Sequence, residues 1–221
     1  MVCISIALLI ILSKRGKNKI KYNPIQEQKI VVVLTAYNDE ESIPIAVKDF
    51  KVQKNVIKVI VVDNNSSDRT YEYARMSGAE VVKEENQGYG FACIRGLREA
   101  LKTDANVIIL AEGDGTFVGY DINKLIPFLD NTDLVLGTRT TQELLDQQSQ
   151  LDWFLVWGNL FLAKLIQIKY FDAKCWGKVR LTDVGCTMRA MRREALEKII
   201  DQLKVGGMQF FTPHDYGCFE E

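Results

Sequence analysis

Residues Val56–Gly78 read VIKVIVVDNNSSDRTYEYARMSG, and the fold of the whole chain turns on how this stretch divides. Val56 to Val62 reads as a strand, following Ile30–Leu34, a short β-branched run read as a buried strand. The polar turn Asp63–Ser67 closes the Val56 to Val62 strand. Asp68 is placed to cap a helix that runs to Ser77, and Gly78 stops that helix. The alternation continues on both sides. Ser42–Val52 reads as a helix and Ala79–Lys83 as a strand. Gly90–Lys102 is a helix entered through a glycine-rich turn. Asn106–Leu110 is a fourth strand, Asp121–Leu129 a helix and Asp133–Leu136 a fifth strand. Strands alternating with helices predict an α/β fold, a mostly parallel sheet with helices on both faces. Such sheets bind ligands outside the carboxyl ends of their strands. The chemistry is therefore expected in Tyr37–Glu41, Asp63–Asp68, Glu84–Gly90 and Glu112–Thr116.

Composition excludes several functions. The chain has 221 residues, 47% hydrophobic and 26% charged, as a globular α/β protein does. Lys+Arg 28 against Asp+Glu 29 leaves a formal net charge of −1, without the basic excess of a nucleic-acid binder. The five cysteines, Cys3, Cys93, Cys175, Cys186 and Cys218, contain no Cys-x-x-Cys pair. Neither a zinc site nor a disulfide framework is indicated, and a reducing compartment is the simpler reading. His214 is the only histidine, so a histidine-based triad or a multi-histidine metal site lacks material.

The ends differ from the middle. Val2–Leu12 is apolar except for Ser5, and Lys14, Arg15, Lys17, Lys19 and Lys21 follow it. A bilayer span needs about 20 apolar residues, and a signal peptide carries its charge ahead of the apolar run. Three readings stay open: a membrane anchor clipped at its start, an interfacial anchor, or an unstructured apolar tail. Residues 1–28 are read as hydrophobic anchor and basic linker, and 29–221 as one domain. The basic flank would keep that domain on the cytoplasmic face of a membrane. Thr140–Gln150 is a polar, glutamine-rich loop. Leu151–Phe171, with Trp153, Phe154, Trp157, Phe161 and Phe171, is an apolar helical segment after the core. It either packs into a core or lies on a bilayer, with Trp153 and Trp157 at headgroup level and Lys164 and Lys169 near anionic lipids. The stop at Glu221, soon after a Gly-Gly turn, leads us to expect a truncated C-terminus.

Four constellations carry possible chemistry. Leu110-Ala111-Glu112-Gly113-Asp114-Gly115-Thr116 puts two acids around one glycine directly after a strand. Two carboxylates at a sheet edge suit Mg2+ or Mn2+ completed by phosphate oxygens. The same residues also fit an ordinary acidic turn. Asp63-Asn64-Asn65-Ser66-Ser67-Asp68 has Asp68 and Ala74 where a calcium-binding EF-hand needs Gly and Glu. Asp63 there reads better as an acceptor for a base or ribose. Gly88-Tyr89-Gly90-Phe91-Ala92-Cys93 lacks the third glycine of the dinucleotide fingerprint and follows the third strand, which argues against a dehydrogenase. Arg139, and the cluster Arg189, Arg192 and Arg193, are arginines of the kind that grip phosphate.

Taken in order, these segments resemble the family 2 glycosyltransferases of GT-A (Rossmann-like) fold, in the dolichol-phosphate mannosyltransferase-like branch. The matching pieces are Thr35–Glu41, Val61–Thr70, Asn86–Gly90, Glu112–Gly115, Gly137–Arg139 and Leu181–Arg189. The resemblance implies that Tyr37, Asp39, Val61 and Asp63 contact the nucleoside of a nucleotide-sugar donor. Gly88, Glu112, Gly113 and Asp114 complete the donor site, with Glu112 and Asp114 holding Mg2+ or Mn2+. Asp114, Arg139 and Asp183 are the implied catalytic residues, and Arg139 and Arg189 the implied anchors of an acceptor phosphate. The implied reaction is inverting transfer from GDP-mannose or a UDP-sugar to polyprenyl or dolichyl phosphate at a membrane surface. Thr35, Asn64, Glu112 and Thr116 replace the family's usual proline, second acid, first metal-site aspartate and frequent glutamine. No Gln-x-x-Arg-Trp motif occurs, and Thr182-Asp183 lacks the Glu-Asp pairing of processive synthases. Two alternatives remain: transfer to a hydroxyl with Asp183 as base, and an inactive nucleotide-binding homologue.

Overall fold

The computed structural model describes residues 22–138, 153–169, 183 and 185–203. They fall into two compact units, one of residues 22–137 and 187–203, the other drawn from 138–186. The first unit holds a six-stranded sheet. Its strands are β1 (Ile30–Ala36), β2 (Val56–Asp63), β3 (Glu80–Lys83), β4 (Val107–Glu112), β5 (Leu134–Leu136) and β6 (Arg189–Arg192). Their order across the sheet is β3-β2-β1-β4-β6-β5. β1 pairs in parallel with β2 and β4, and β2 in parallel with β3. β6 runs antiparallel between β4 and β5.

All seven residues of β1 are buried, as a central strand covered on both faces requires. Val31 and Val33 join Ile60, Val62, Ile108 and Leu110 in one core, closed by Ala92, Cys93 and Leu97 of helix α3 (Tyr89–Ala100). Helix α1 (Ile43–Lys51) buries Ile43, Ala46, Val47 and Phe50 and packs on β2 and on helix α2 (Thr70–Met76). Burying a large aliphatic or aromatic side chain contributes roughly 1.5–3 kcal/mol. These two layers therefore hold the sheet against the loops that carry the chemistry.

The expected strands are present, with polar extensions. β2 and β4 run on to Asp63 and Glu112, so both acids are strand residues rather than turn residues. The expected helix Asp121–Leu129 is one α-turn, α4 (Ile122–Leu125), between the 3-10 turns Gly119–Asp121 and Ile126–Asp130. Pro127 lacks the N–H that a continuing α-helix would need and breaks it there. β6 and helix α6 (Arg193–Ile199) are additions that the sequence pattern does not announce. Arg192 and Arg193, phosphate candidates by residue type, hold backbone instead. Arg193 donates to Leu101 O (2.6 Å), Thr103 O (2.6 Å) and Ala105 O (3.2 Å), closing the end of α3. Arg192 donates to Leu129 O at 2.7 and 3.0 Å.

In the second unit, helix α5 (Trp153–Lys169) leaves Trp157, Phe161, Leu162, Leu165 and Ile168 exposed and buries Ala163. Among the described residues no helix is long and apolar enough to cross a membrane. The N-terminal apolar run, Arg139, the loop Thr140–Gln150, Phe171 and His214 lie outside the described residues.

Candidate active site

The sheet register brings the acids to one edge. The last residue of β1, Ala36, pairs with Asp63, and Thr35 pairs with Glu112. Asp63 and Glu112 thus flank the end of β1, two strand spacings or about 10 Å apart. Asp63 is buried, and its Oδ1 accepts from Ser66 N–H at 3.2 Å. Val61, two residues back, is wholly enclosed in mid-strand, so its side chain belongs to the core.

The loops after β1 and β2 interlock. Asn38 N–H donates to Ser66 Oγ (3.0 Å), and Asn38 Oδ1 accepts from Ser67 N–H (2.9 Å) and Ser67 Oγ (3.2 Å). Asp39 N–H donates to Thr70 Oγ1 at 2.7 Å, and Glu40 N–H to Asp68 Oδ2 at 3.1 Å. Asp68, expected as the cap of α2, stands one residue before its N-cap position, Arg69, and still takes the first N–H of the helix. It bridges the two loops, and its Oδ1 takes Thr70 N–H (2.9 Å) and Oγ1 (2.6 Å). Desolvation would raise the Asp68 carboxyl, but these bonds from Thr70 and Glu40 hold it below its ordinary value.

Tyr37 keeps an exposed ring, and its backbone N–H donates to Asp39 Oδ2 at 2.8 Å. The half-buried Asp39 carboxyl is pushed up from its ordinary value, first by desolvation and then by the charges of Asp114 and Asp68. The Asp39 and Asp114 charges thus lie near enough to act on one another. Asn38, Asp39, Glu40, Glu41, Ser42 and Asp68 line an open cleft of about 360 Å3. Ser42 Oγ joins this cleft to the acidic turn by donating to Gly113 O at 3.1 Å.

That turn is built to present Asp114. Gly113 N–H donates to Thr35 O at 2.8 Å, which ties the turn to β1. Asp114 is exposed, and Thr116 orients both of its oxygens: N–H to Oδ1 at 2.8 Å and Oγ1 to Oδ2 at 2.7 Å. A carboxylate oxygen has about two acceptor sites, so each keeps one for a ligand. The positioning role of Thr116 is absent from the sequence reading, although the two-residue spacing from an aspartate is that of an Asx turn. Among the described residues no three His, Cys, Asp or Glu side chains group to hold a metal. Glu112 and Asp114 instead fit the donor set of a hard dication that takes one or two carboxylates and completes its shell with substrate phosphates and water.

Arg189 stands opposite Leu110 in the β4–β6 ladder and is 8% exposed. Its charge and that of Glu112 both act on Tyr89 and Cys93 of α3. Burial pushes the Cys93 thiol up to about 12 and also raises the Tyr89 hydroxyl. Arg189 is thus enclosed near α3 rather than displayed on the surface. Gly88 is the N-cap of α3, held next to the end of β2 by its N–H bond to Asn64 Oδ1 at 2.8 Å. Asp183 belongs to the second unit, where its Oδ1 accepts from Gly185 N–H at 2.8 Å. The sheet edge of the first unit accordingly gathers Tyr37, Asp39, Asp63, Gly88, Glu112, Gly113 and Asp114.

Comparison with known proteins places the chain in a family. Residues 31–200 match the family model described as glycosyl transferase family 2. A glycosyltransferase of Mycobacterium tuberculosis is 36% identical over 168 residues, 76% of this chain and 69% of its own length. The dolichyl-phosphate hexose transferase of Haloferax volcanii is 30% identical over 174 residues, covering 77% of this chain and 69% of that protein. Among solved structures, glucosyl-3-phosphoglycerate synthase from Mycobacterium tuberculosis, in complex with Mn2+, uridine diphosphate and glucosyl-3-phosphoglycerate, superposes with a TM-score of 0.52 at 23% identity. The match covers 76% of this chain and 58% of that one, so the present chain spans less than two thirds of the solved enzyme.

Proposed function

This chain belongs to glycosyl transferase family 2, and on that premise we propose that it transfers a sugar from GDP-mannose or a UDP-sugar to a polyprenyl or dolichyl phosphate. The observation that carries the reading is the strand-end pair, with Asp63 and Glu112 on either side of β1 and Asp114 exposed beyond. Asp63 would accept from a base or ribose, with Tyr37 and Asp39 beside it. Gly88 and Gly113, at the turns beside Asp63 and between Glu112 and Asp114, would complete the donor site. Glu112 and Asp114 would hold Mg2+ or Mn2+, which when bound supplies positive charge to the departing diphosphate. An acceptor phosphate oxygen attacks the anomeric carbon as the bond to the donor diphosphate breaks, inverting that carbon. A phosphate is ionised near neutral pH, so this acceptor needs no general base. Arg139 and Arg189 are the proposed phosphate partners, and Asp183 would serve as base only for a hydroxyl acceptor. The dolichyl-phosphate relative and the Mn2+ and uridine diphosphate of the solved neighbour support this choice of acceptor, metal and donor class.

The assay is release of nucleoside diphosphate from UDP- and GDP-sugars with Mn2+, with and without polyprenyl phosphate. Release is expected to rise with the lipid phosphate and to stop with EDTA. Release indifferent to polyprenyl phosphate but stimulated by a hydroxyl acceptor would transfer the assignment to the second chemistry.

The acceptor class also calls for a membrane. On α5, Trp157, Phe161, Leu165 and Ile168 recur at helical spacing and are 68%, 62%, 45% and 71% exposed. In the proposed arrangement this stripe lies on the cytoplasmic face of a bilayer, with Trp157 at headgroup level and Lys164 near anionic lipid. A chain lacking residues 1–22 should then co-sediment with anionic liposomes and its tryptophan emission should shift to the blue. If it stays in the supernatant with unchanged emission, α5 has no membrane role.

A further inference from the structure

The residue after Asp63 holds three chain segments together. Asn64 is 4% exposed, and its backbone N–H donates to Ala36 O, the last carbonyl of β1, at 2.9 Å. Its side-chain amide points into the turn between β3 and α3. Nδ2 donates to Glu84 O at 3.1 Å and to Asn86 O at 2.7 Å, while Oδ1 accepts from Gly88 N–H at 2.8 Å. Both amide hydrogens are therefore engaged inside the protein. Glu84 closes the same turn from its other side, its Oε1 accepting from Asn86 N–H (2.9 Å) and Nδ2 (2.7 Å). The turn ends at Gly88, whose φ of 143° is one that side-chain-bearing residues rarely adopt.

Only an amide meets these demands. Two carbonyls need donors, and the Gly88 N–H needs an acceptor. Aspartate has the same shape but accepts only, and would set a carboxylate against two carbonyl oxygens. Asp63 next door has one oxygen on Ser66 N–H, and among the described residues no protein partner reaches the other. The two neighbours thus differ: Asp63 keeps an oxygen that no described protein group bonds, and Asn64 spends its whole amide on protein.

We propose that Asn64 is a positioning residue of the donor site, which fixes the Asn86–Gly88 turn beside Asp63 and so sets the affinity for the donor nucleotide without touching it through its amide hydrogens. This inference rests on the nucleotide-sugar reading above. Because Asn64→Asp leaves the volume unchanged, its effect reports hydrogen bonding rather than a cavity.

The test is calorimetric titration of the full chain and of Asn64→Asp with UDP and with GDP in the presence of Mn2+, below both melting temperatures, together with amide exchange. The variant should bind its preferred nucleotide about ten-fold or more weakly, the scale of losing one or two positioning hydrogen bonds. Amides 86–88 should exchange faster while those of β1 and β4 keep their protection. KM for the donor should rise with kcat near wild type, a split that general destabilisation does not produce. Wild-type nucleotide affinity in Asn64→Asp would overturn the proposal. If Asn64→Asp does not fold, Glu84→Ala loosens the same turn from outside; it should weaken nucleotide binding, and unchanged affinity there would overturn the proposal equally. Failure of the unaltered chain to bind either nucleotide with Mn2+ would instead remove the donor reading, a result separate from both.

Discussion

Asp114→Asn is expected to leave the chain folded and to abolish Mn2+-dependent nucleotide binding. The side chain is exposed, and among the described residues its hydrogen bonds go only to Thr116, two residues on. Asparagine can still accept from Thr116 N–H through Oδ1, so the turn survives. The cation, however, loses its charged oxygen. Even outer-shell partners of metal ligands are worth roughly 10–100-fold in affinity, so direct loss should cost on the order of 100-fold or more. A second readout does not depend on the metal. The Asp39 carboxyl is raised mainly by desolvation, but also by the Asp114 charge. Neutralising Asp114 should therefore move the Asp39 titration down, towards the ordinary carboxylate value, in a metal-free NMR experiment. Retained Mn2+-dependent affinity would sink the ligand assignment, and an unmoved Asp39 would show that the two charges do not act on one another.

The contrast between Asp114 and its surroundings shows what the chain discloses before folding. The apolar runs of β1 and β4 and the Val59–Val62 half of β2 are legible because they are buried on both faces, and the edge where their acids emerge follows from the topology of a parallel sheet. Strand limits are less legible. Asp63 and Glu112 look like turn residues but keep their ladder positions, since backbone pairing with β1 continues under polar side chains. β6 is hidden because Arg-Ala-Met-Arg carries no apolar run; its place is set by pairing with β4 on one side and β5 on the other. The interlock of Asn38, Asp39 and Glu40 with residues 28 to 31 positions away is likewise invisible locally. A polar residue in a loop looks alike whether it faces ligand, solvent or another loop. That is why Asp68 reads as a cap and not also as a bridge to Glu40, and why Thr116 and Asn64 stand out only as departures from a family pattern.

Gly113→Ala should be the most damaging small change at the acidic turn, and a second substitution should repair it. The glycine N–H donates to Thr35 O at 2.8 Å, and its carbonyl accepts from Ser42 Oγ at 3.1 Å, so the turn is clamped between β1 and the start of α1. An added methyl would fall inside van der Waals contact of Ile43 Cδ1 and 3.2 Å from Thr35 O. Ile43 is fully buried and cannot swing into solvent. Overpacking of this kind costs about 1–3 kcal/mol. The structure can relieve it most easily by lifting the turn, and the turn carries Glu112 and Asp114. A shift of about 1 Å in such a constellation can cost on the order of 100-fold, so Mn2+-dependent nucleotide affinity should fall by more than the lost stability explains. Ile43→Val removes the clashing methyl at a cost of about 0.5–1.5 kcal/mol by itself. In the double variant the methyl added at position 113 is accommodated. Both melting temperature and affinity should then recover beyond the sum of the single effects, a coupling that a double-mutant cycle measures. Gly115→Ala provides the control. Its φ is +86°, yet the nearest atom to an added methyl is Ser42 Cβ at 3.8 Å, so it strains the backbone without pushing the turn off β1. If Gly113→Ala binds nucleotide as the unaltered chain does, or if Ile43→Val fails to restore it, contact with α1 is not what sets the height of the acids above the sheet.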